Sequence, residues 1–225
     1  MCKDADIALA AKGAAANRLG NTGQACTASK RLFVHEDVYD EFLEKLREEY
    51  THYAPRDPLA EDSQLGPLSS ADALSDLQSL VDDAVSHGAT VAIDGGPVPG
   101  EGDNAGEKSN FFEPMLLTDV TEEMRIDSEE AFGPVAVAYR FSTIEEAAAA
   151  ANKSPYGLGA SVFTEDDDTF DQLANELEVG MVWQNATAQS RPELPFGGVK
   201  LSGFGRELSR FGFNEFANKE LVQRP

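Results

Sequence analysis

The sequence has few basic residues, few cysteines and no long apolar run, and each shortage excludes a class of protein. Only 18 of the 225 residues are Lys or Arg, against 40 Asp and Glu, which gives a formal net charge of −22. Such a charge repels phosphate backbones and anionic lipids, so we expect neither nucleic-acid nor membrane binding. No stretch approaches the roughly 18 apolar residues of a membrane-spanning helix. The two cysteines, Cys2 and Cys26, make no disulfide framework and indicate a reducing cytoplasm.

The acidic residues are spread along the whole chain rather than gathered in a tail. Two interpretations are open: an acidic surface for a basic partner, or a solvated surface adapted to a salt-rich cytoplasm that screens the self-repulsion. Because the charge is diffuse, we favour salt adaptation. The histidines His35, His52 and His87 have no metal-ligand spacing to either cysteine, and Asp166–Asp168 fits the acidic first turn of a helix. We therefore expect no metal site.

Apolar spacing alternates between the helical and the strand period along the chain. Helices are predicted from the stripes at Ile7–Arg18, Val38–Leu46, Leu74–Ala84, Ile144–Ala151 and Phe170–Leu177, and strands at Arg31–His35, Thr90–Ile93, Val135–Phe141 and Ala160–Phe163. Ser142 and Glu145 have the spacing of a capping box. Gly95–Asn110 is rich in turn residues and is predicted to be an exposed loop or hairpin. The alternation predicts one α/β domain with a mostly parallel sheet flanked by helices.

Cys26 follows a turn-forming stretch, Gly20–Gln24. A helix-capable stretch or a strand follows it, and we expect a loop-to-helix junction, where free backbone N–H groups would favour a thiolate and could later hold an oxyanion. The alternative is that Cys26 is a small buried hydrophobic residue, as lone cysteines commonly are. The surroundings of Cys26 by themselves leave both readings open.

Two further clusters contain residue types suited to a site. Glu129 and Glu130 precede an aromatic residue and a Gly-Pro turn, so one carboxylate could face a cleft or both could lie on a solvated turn. Pro195–Glu207 contains four glycines between residues 197 and 205, which permit close backbone approach to a ligand or another chain. No strand leads into a Gly-x-Gly-x-x-Gly segment and no Walker lysine is present, so a phosphate-binding loop is unsupported.

Together these segments resemble the aldehyde dehydrogenase superfamily. The three main matches are Gly23–Cys26 (Gly-Gln-Ala-Cys), Glu129–Pro134 (Glu-Glu-Ala-Phe-Gly-Pro) and Pro195–Glu207, and shorter matches occur at Gly66–Leu68, Asn110–Pro114 and Tyr156–Leu158. The matches follow the family's order and cover essentially the whole chain. Three separated motifs in the correct order make the resemblance specific.

The resemblance implies a catalytic domain of aldehyde dehydrogenase type and its chemistry. In that family a cysteine thiolate attacks the aldehyde, hydride passes to NAD or NADP, and water hydrolyses the thioester to a carboxylate. Cys26 is then the nucleophile, and its backbone N–H contributes to the oxyanion hole. Glu130 matches the carboxylate that holds the nicotinamide ribose, with Phe132 beside the nicotinamide. Phe196 would line the substrate tunnel, and Asn185 would support the substrate site from a strand end.

The sequence departs from the family at its start. The family's general base lies in a Glu-Leu-Gly-Gly segment farther upstream than the 25 residues that precede Cys26 here. The oxyanion-hole asparagine, the dinucleotide-binding sheet and half of the oligomerisation hairpin also lie upstream in the family. By resemblance, residues 1–20 are a remnant helix of the dinucleotide-binding domain, residues 21–213 the catalytic domain, and residues 214–225 a C-terminal oligomerisation segment. We expect a truncated or split enzyme that is inactive as an isolated chain.

Three functional readings follow. The first is an NAD(P)-dependent aldehyde dehydrogenase polypeptide that acts as a homo-oligomer or with a complementing N-terminal half. The second is a non-catalytic remnant or assembly subunit. The third is a cofactor-free thiol esterase that uses only Cys26 and backbone N–H groups.

The substrate is weakly specified. Glu193–Lys200 is similar to the corresponding segment of succinate-semialdehyde dehydrogenases, so the small-molecule aldehyde we prefer is a semialdehyde such as succinate semialdehyde. Some members of that group place an arginine where this chain has Gly20. Arg191 could instead bind the substrate carboxylate, or it could be an exposed loop arginine. The choice between NAD and NADP is made upstream in the family.

Overall fold

The structure, a computed structural model, describes residues 1–99 and 108–225. Its helices are α1 (Ile7–Leu19), α2 (Tyr39–Tyr50), α3 (Ala71–Ser86), α4 (Arg125–Ser128), α5 (Ile144–Asn152), α6 (Asp167–Glu176) and α7 (Ser209–Glu215). Its strands are β1 (Arg31–His35), β2 (Thr90–Ile93), β3 (Gly96–Pro99), β4 (Lys108–Glu113), β5 (Met115–Thr118), β6 (Val135–Phe141), β7 (Tyr156–Gly157), β8 (Gly159–Val162), β9 (Met181–Gln184) and β10 (Val199–Lys200). Within these two ranges, no helix is both long enough and apolar enough to cross a membrane.

The main sheet has four strands in the order β1-β6-β5-β2. Strands β1, β6 and β5 are parallel, and β2 is antiparallel to β5. A second, two-stranded parallel sheet pairs β8 with β9. The prediction of an α/β fold with a mostly parallel sheet and flanking helices is confirmed.

Helices cover both faces of the main sheet. Val135 and Val137 point into one core with α3, while Ala136 and Ala138 point into the other core with α1 and α2. All four side chains are buried, as expected of a parallel strand that is enclosed on both faces. Helix α1 shares its core with α2 and β1, and the division of the chain at residues 20 and 213 stays a prediction.

Residues Met1 and Cys2 lie between the main sheet and the β8–β9 sheet. The Met1 amino group donates to the carbonyl of Phe33 (2.6 Å), and the Met1 carbonyl accepts from the N–H of His35 (3.0 Å). On the other side, the N–H of Cys2 donates to the carbonyl of Phe163 (2.9 Å). These two residues therefore connect the edge of β1 to the edge of β8.

Several local features differ from the expectation. The buried strand β5 was not predicted, because the three apolar residues between Pro114 and Thr118 are too few to show a period. The capping box is shifted by one residue: Thr143 is the N-cap of α5 and accepts from the N–H of Glu146, whose carboxylate accepts from the N–H of Ser142.

The arms of the predicted hairpin at 95–110 are β3 and β4, which pair antiparallel. Its centre, residues 100–107, lies outside the described residues.

Candidate active site

One cavity brings together three of the predicted site residues. It has a volume of about 760 Å³, and Cys26, Glu130 and Phe196 all line it. These three residues are separated by about a hundred and by sixty-six positions in the chain, so only the fold brings them to one place. Phe132, Asn185 and Arg191 are absent from the described lining.

Cys26 lies on a turn, and the prediction of a helix N-terminus at this position is wrong. The N–H of Ala28 donates to the carbonyl of Ala25 (3.0 Å), and the chain then enters strand β1 at Arg31. Only Ser29 and Lys30 lie between this turn and the strand, which leaves no room for a helix. The Cys26 side chain is exposed, and within residues 1–99 and 108–225 its backbone N–H donates no hydrogen bond. That free N–H can still serve an oxyanion without a helix dipole.

The approach to Cys26 is a strained turn that docks on a distant segment. Asn21 and Thr22 have positive φ angles of 52° and 58°. Thr22 Oγ1 donates to the carbonyl of Gly66 (3.1 Å), and Gln24 Oε1 accepts from the N–H of Ser69 (2.7 Å). The residues between α1 and β1, 20–30, form what we call the cysteine loop. The segment that begins at Gly66 therefore helps to support this loop.

A buried arginine joins the two loops that carry Cys26 and Glu130. Arg18 donates to the carbonyls of Gly23 (3.2 Å) and Ala28 (3.0 Å), which flank Cys26. It also donates to the carbonyls of Ala131 (2.6 Å) and Gly133 (3.0 Å), which follow Glu130. Burial lowers the pKa of the Arg18 guanidinium to about 10, which leaves it charged at neutral pH. Four carbonyl dipoles in place of a carboxylate satisfy this charge.

Sequence reasoning missed Arg18, although a signal was present. Ala10, Ala14 and Arg18 follow one another at four-residue spacing, and all three are buried in α1. A charged residue on the apolar stripe of a helix must find partners in the core, so its position already indicated a structural or functional role.

The structure distinguishes the two adjacent glutamates. Both carboxylate oxygens of Glu129 accept from the guanidinium of Arg125 at 2.8 Å, and this hydrogen bonding lowers the pKa of Glu129. Glu130 instead lines the cavity that contains Cys26. Glu130 is therefore the carboxylate available to a ligand in this cavity.

Lys30, which follows Cys26 in the chain, also binds the segment that precedes Glu130. Its ammonium donates to the carbonyls of Glu129 (2.6 Å) and Asp127 (3.3 Å). Burial lowers its pKa to about 8. Hydrogen bonds from Arg18 and Lys30 therefore hold the cysteine loop against the segment that contains Glu130.

The Phe196 wall is held by backbone pairing. Phe196 and Glu207 exchange two backbone hydrogen bonds of 2.9 and 2.7 Å. Arg206 donates to the carbonyls of Gly198 (2.9 Å) and Gly205 (2.6 Å) inside this loop. The glycine-rich segment consequently forms a compact flap beside the cavity.

The remaining predicted residues lie elsewhere. Asn185 follows β9 with a φ of 47°, and its side-chain amide bonds to the N–H (3.0 Å) and carbonyl (2.8 Å) of Thr164. Phe132 is 46% exposed beside Glu130, and Arg191 is exposed on a loop. Asn185 is therefore placed to hold the backbone near the site, and its role toward substrate, like those of Phe132 and Arg191, stays a prediction.

The described residues fit one end of a nicotinamide cofactor. Glu130 offers a carboxylate in the cavity that Cys26 also lines, which suits ribose hydroxyl donors, and Phe132 offers an exposed aromatic face. No group of three or more His, Cys, Asp or Glu in the described part of the chain could hold a metal ion.

Comparison with known proteins identifies relatives along nearly the whole chain. Residues 1–222 match the aldehyde dehydrogenase family. A succinate-semialdehyde dehydrogenase [NADP(+)] of Deinococcus radiodurans is 50% identical over 218 residues, which are 97% of this chain and 44% of that protein. An aldehyde dehydrogenase of Paenarthrobacter nicotinovorans is 44% identical over 219 residues, which are 97% of this chain and 46% of that protein.

Solved structures agree with this result. Succinic semialdehyde dehydrogenase from Streptococcus pyogenes, in complex with NADP+, has a TM-score of 0.89 and 38% identity, and the match covers 99% of this chain and 48% of that one. Betaine aldehyde dehydrogenase from Staphylococcus aureus, in complex with NAD+, has a TM-score of 0.88 and 35% identity, and covers 96% and 42%. The chain spans about half the length of these relatives, and it belongs to the aldehyde dehydrogenase family.

Proposed function

We propose that the chain provides the thiol half of an enzyme that oxidises an aldehyde to a carboxylate with NAD or NADP. The observation that carries this proposal is that Cys26, Glu130 and Phe196 line one cavity in a member of this family. An exposed thiol, a free carboxylate and an apolar wall are the groups that a covalent aldehyde oxidation needs on this side of the reaction.

The chain's own residues have separate tasks in this proposal. The Cys26 sulfur attacks the aldehyde carbon to form a hemithioacetal, and its backbone N–H donates to the oxygen that gains negative charge. The Phe196 wall excludes water and packs on the substrate. After oxidation, water hydrolyses the thioester and frees the Cys26 thiol. Arg18 and Lys30 hold the cysteine loop against the segment that presents Glu130.

Glu130 would hold the ribose next to the nicotinamide, and Phe132 would pack beside it. The bound cofactor supplies the hydride acceptor of the reaction. The relatives named above include a succinate-semialdehyde dehydrogenase [NADP(+)], an enzyme in complex with NADP+ and one in complex with NAD+, and we propose NADP or NAD accordingly.

A semialdehyde such as succinate semialdehyde is the substrate we propose, because succinate-semialdehyde dehydrogenases are among the relatives. Arg191 is exposed and lies outside the described cavity lining, so its contact with a substrate carboxylate requires the loop at 189–195 to move toward the cavity. We propose Arg191 as a substrate-binding residue on that condition.

We further propose that turnover requires the remainder of the longer enzyme, either in one polypeptide or as a complementing N-terminal half, and that the working form is a cytoplasmic homo-oligomer. The support is the length of the relatives, of which this chain covers 44–48% in the cases of Deinococcus and Streptococcus. The isolated chain should form no measurable NADPH with succinate semialdehyde and NADP+. Rapid NADPH formation by the isolated chain would contradict this dependence.

Differential thiol labelling tests the assignment of Cys26. Cys2 is buried, and burial raises the pKa of its thiol, whereas Cys26 is exposed in the cavity. Iodoacetamide should alkylate Cys26 at least about tenfold faster than Cys2 in the folded protein, as mass spectrometry of the digested chain would show. The variant Cys26→Ser should lose the fast phase, and Cys2→Ser should keep it. Equal rates at the two thiols would remove the main support for a nucleophile.

A further inference from the structure

A gap about as wide as one strand separates β1, at the edge of the main sheet, from β8, at the edge of the β8–β9 sheet. The outer edge of β1 faces the outer edge of β8, and Arg31–Val34 and Gly159–Phe163 both line the cavity. In β1 the even-numbered residues bond to β6, as the hydrogen bond from Val137 to the carbonyl of Lys30 (2.8 Å) shows. Because backbone direction alternates along a strand, the odd residues Arg31 and Phe33 turn their N–H and C=O groups into the gap.

The same alternation holds on the opposite side. The N–H of Asn185 donates to the carbonyl of Val162 (2.9 Å), so even residues of β8 face β9. Ser161 and Phe163 consequently turn their backbone groups into the gap. The β1–β6 and β8–β9 pairings use the even residues, and outside these pairings the N–H groups of Arg31, Phe33, Ser161 and Phe163 donate no hydrogen bond within the described residues.

Met1 and Cys2 already occupy one end of this gap. Met1 bonds to Phe33 and His35, the two neighbours of Val34, which is the pattern of a parallel bridge. Cys2 bonds to Phe163 on the other side. The gap at this end is therefore one strand wide, and a strand in line with Met1 would run parallel to both β1 and β8.

The walls above and below the gap are apolar. Ala10, Ala14 and Phe42 line the cavity from α1 and α2, and Ala147, Ala151 and Leu173 line it from α5 and α6. A strand in the gap would be covered on both faces, so it must be a continuous run of apolar residues, without charge and without proline.

We propose that this gap, which we call the strand slot, binds an extended apolar segment that runs parallel to β1 and β8 and ends at Met1. The occupant comes from the portion of polypeptide that the relatives carry outside the matched half, since this chain covers only 44–48% of two of them. The proposal rests on the proposed function, in which that portion is required for turnover. A strand in the slot would join the main sheet and the β8–β9 sheet into one. The partner portion would then be attached by backbone hydrogen bonds to β1 and β8.

A peptide in trans tests the slot. The probe is an acetylated peptide of about six alternating Val and Ala residues with two N-terminal lysines for solubility. It should bind saturably and slow amide exchange at Arg31, Phe33, Ser161 and Phe163 by at least about tenfold. The amides of Leu32 and Ala160, which face the existing strands, should change little. This alternation is specific to strand addition, and a peptide with a central proline should not produce it.

Matched variants locate the binding. Ala14→Leu fills the slot from α1, and Ala16→Leu adds the same group on the exposed side of that helix. Ala151→Leu and the exposed Ala149→Leu make an equivalent pair on α5, in case the first variant fails to fold. The slot variants should weaken peptide binding at least about tenfold and the controls should not.

Three results would overturn the proposal: no saturable binding, equal protection of odd and even amides, or protection of the odd amides by a second copy of the chain in the absence of peptide. Cys26→Ser should bind the peptide normally. Normal peptide binding with slow Cys26 labelling would contradict only the proposed function, whereas fast labelling without peptide binding would contradict only the strand slot.

Discussion

Among single residues, Gly23 lies too close to the backbone of Gly133 to carry a side chain. Its φ is +72°, and a Cβ at this position would overlap the backbone carbonyl of Gly133. Gly23→Ala should therefore lower the free energy of unfolding by at least about 2 kcal/mol, because both the backbone and the contact are unfavourable. Gly20→Ala is the matched control, since its φ is −54° and nothing lies within 4 Å of the added Cβ. Urea unfolding should show the control unchanged or stabilised by up to about 1 kcal/mol.

At the scale of elements, Lys30 joins the start of β1 to the segment after α4. Its pKa is lowered to about 8 by burial, while an unfolded lysine has a pKa near 10.4. Between these values the unfolded chain binds more protons, so the folded state gains stability as the pH rises from about 8 to about 10. The slope from this group should reach about 1.4 kcal/mol per pH unit at most, the value for one proton.

Lys30→Met tests this pH dependence. Unfolding free energies of wild type and variant, measured from pH 7.5 to 9.5, should differ by an amount that changes with pH in the wild type's favour. Lys12→Met, which removes an exposed lysine of α1, is the control. Parallel pH profiles for wild type and Lys30→Met would show that the buried ammonium is solvated.

For the protein as a whole, the net charge opposes self-association through an apolar surface near the C-terminus. Phe213, Phe216 and Leu221 are 80%, 91% and 90% exposed, and the net charge is −22. Exposed apolar patches promote association, and self-repulsion opposes it strongly at low salt, where the Debye length is roughly 30 Å, but weakly at molar salt, where it is roughly 3 Å. We predict a loosened monomer in dilute buffer and a compact, self-associated protein in concentrated salt.

Light scattering across a salt series checks this prediction. The double variant Phe213→Ser, Phe216→Ser should remain monomeric at salt concentrations that associate the wild type. A compact wild-type monomer of constant mass at every salt concentration would contradict both the exposed-interface argument and salt adaptation.

Local sequence patterns determined most of the elements. The helical stripes of α1, α2, α3, α5 and α6 and the strands β1, β2, β6 and β8 follow from residues only a few positions apart, and so does the α/β class. The short strand β5 and the N-cap of α5 escaped this reasoning. A run of three apolar residues has no measurable period, and both Ser142 and Thr143 can cap a helix until the chain path selects one.

The order of the motifs around Cys26, Glu130 and Phe196 was enough to indicate the family, and the resemblance predicted Cys26 as its nucleophile. Only the tertiary structure decided that Arg125 engages Glu129 and leaves Glu130 to the cavity, and that Cys26 lies on a turn rather than at a helix end. It likewise decided that Arg18 binds four carbonyls from two loops, Gly23 and Ala28 on one, Ala131 and Gly133 on the other. A motif is encoded by neighbouring residues, whereas the partners of a buried charge are contributed by segments about a hundred residues apart, and these meet only when the core has formed.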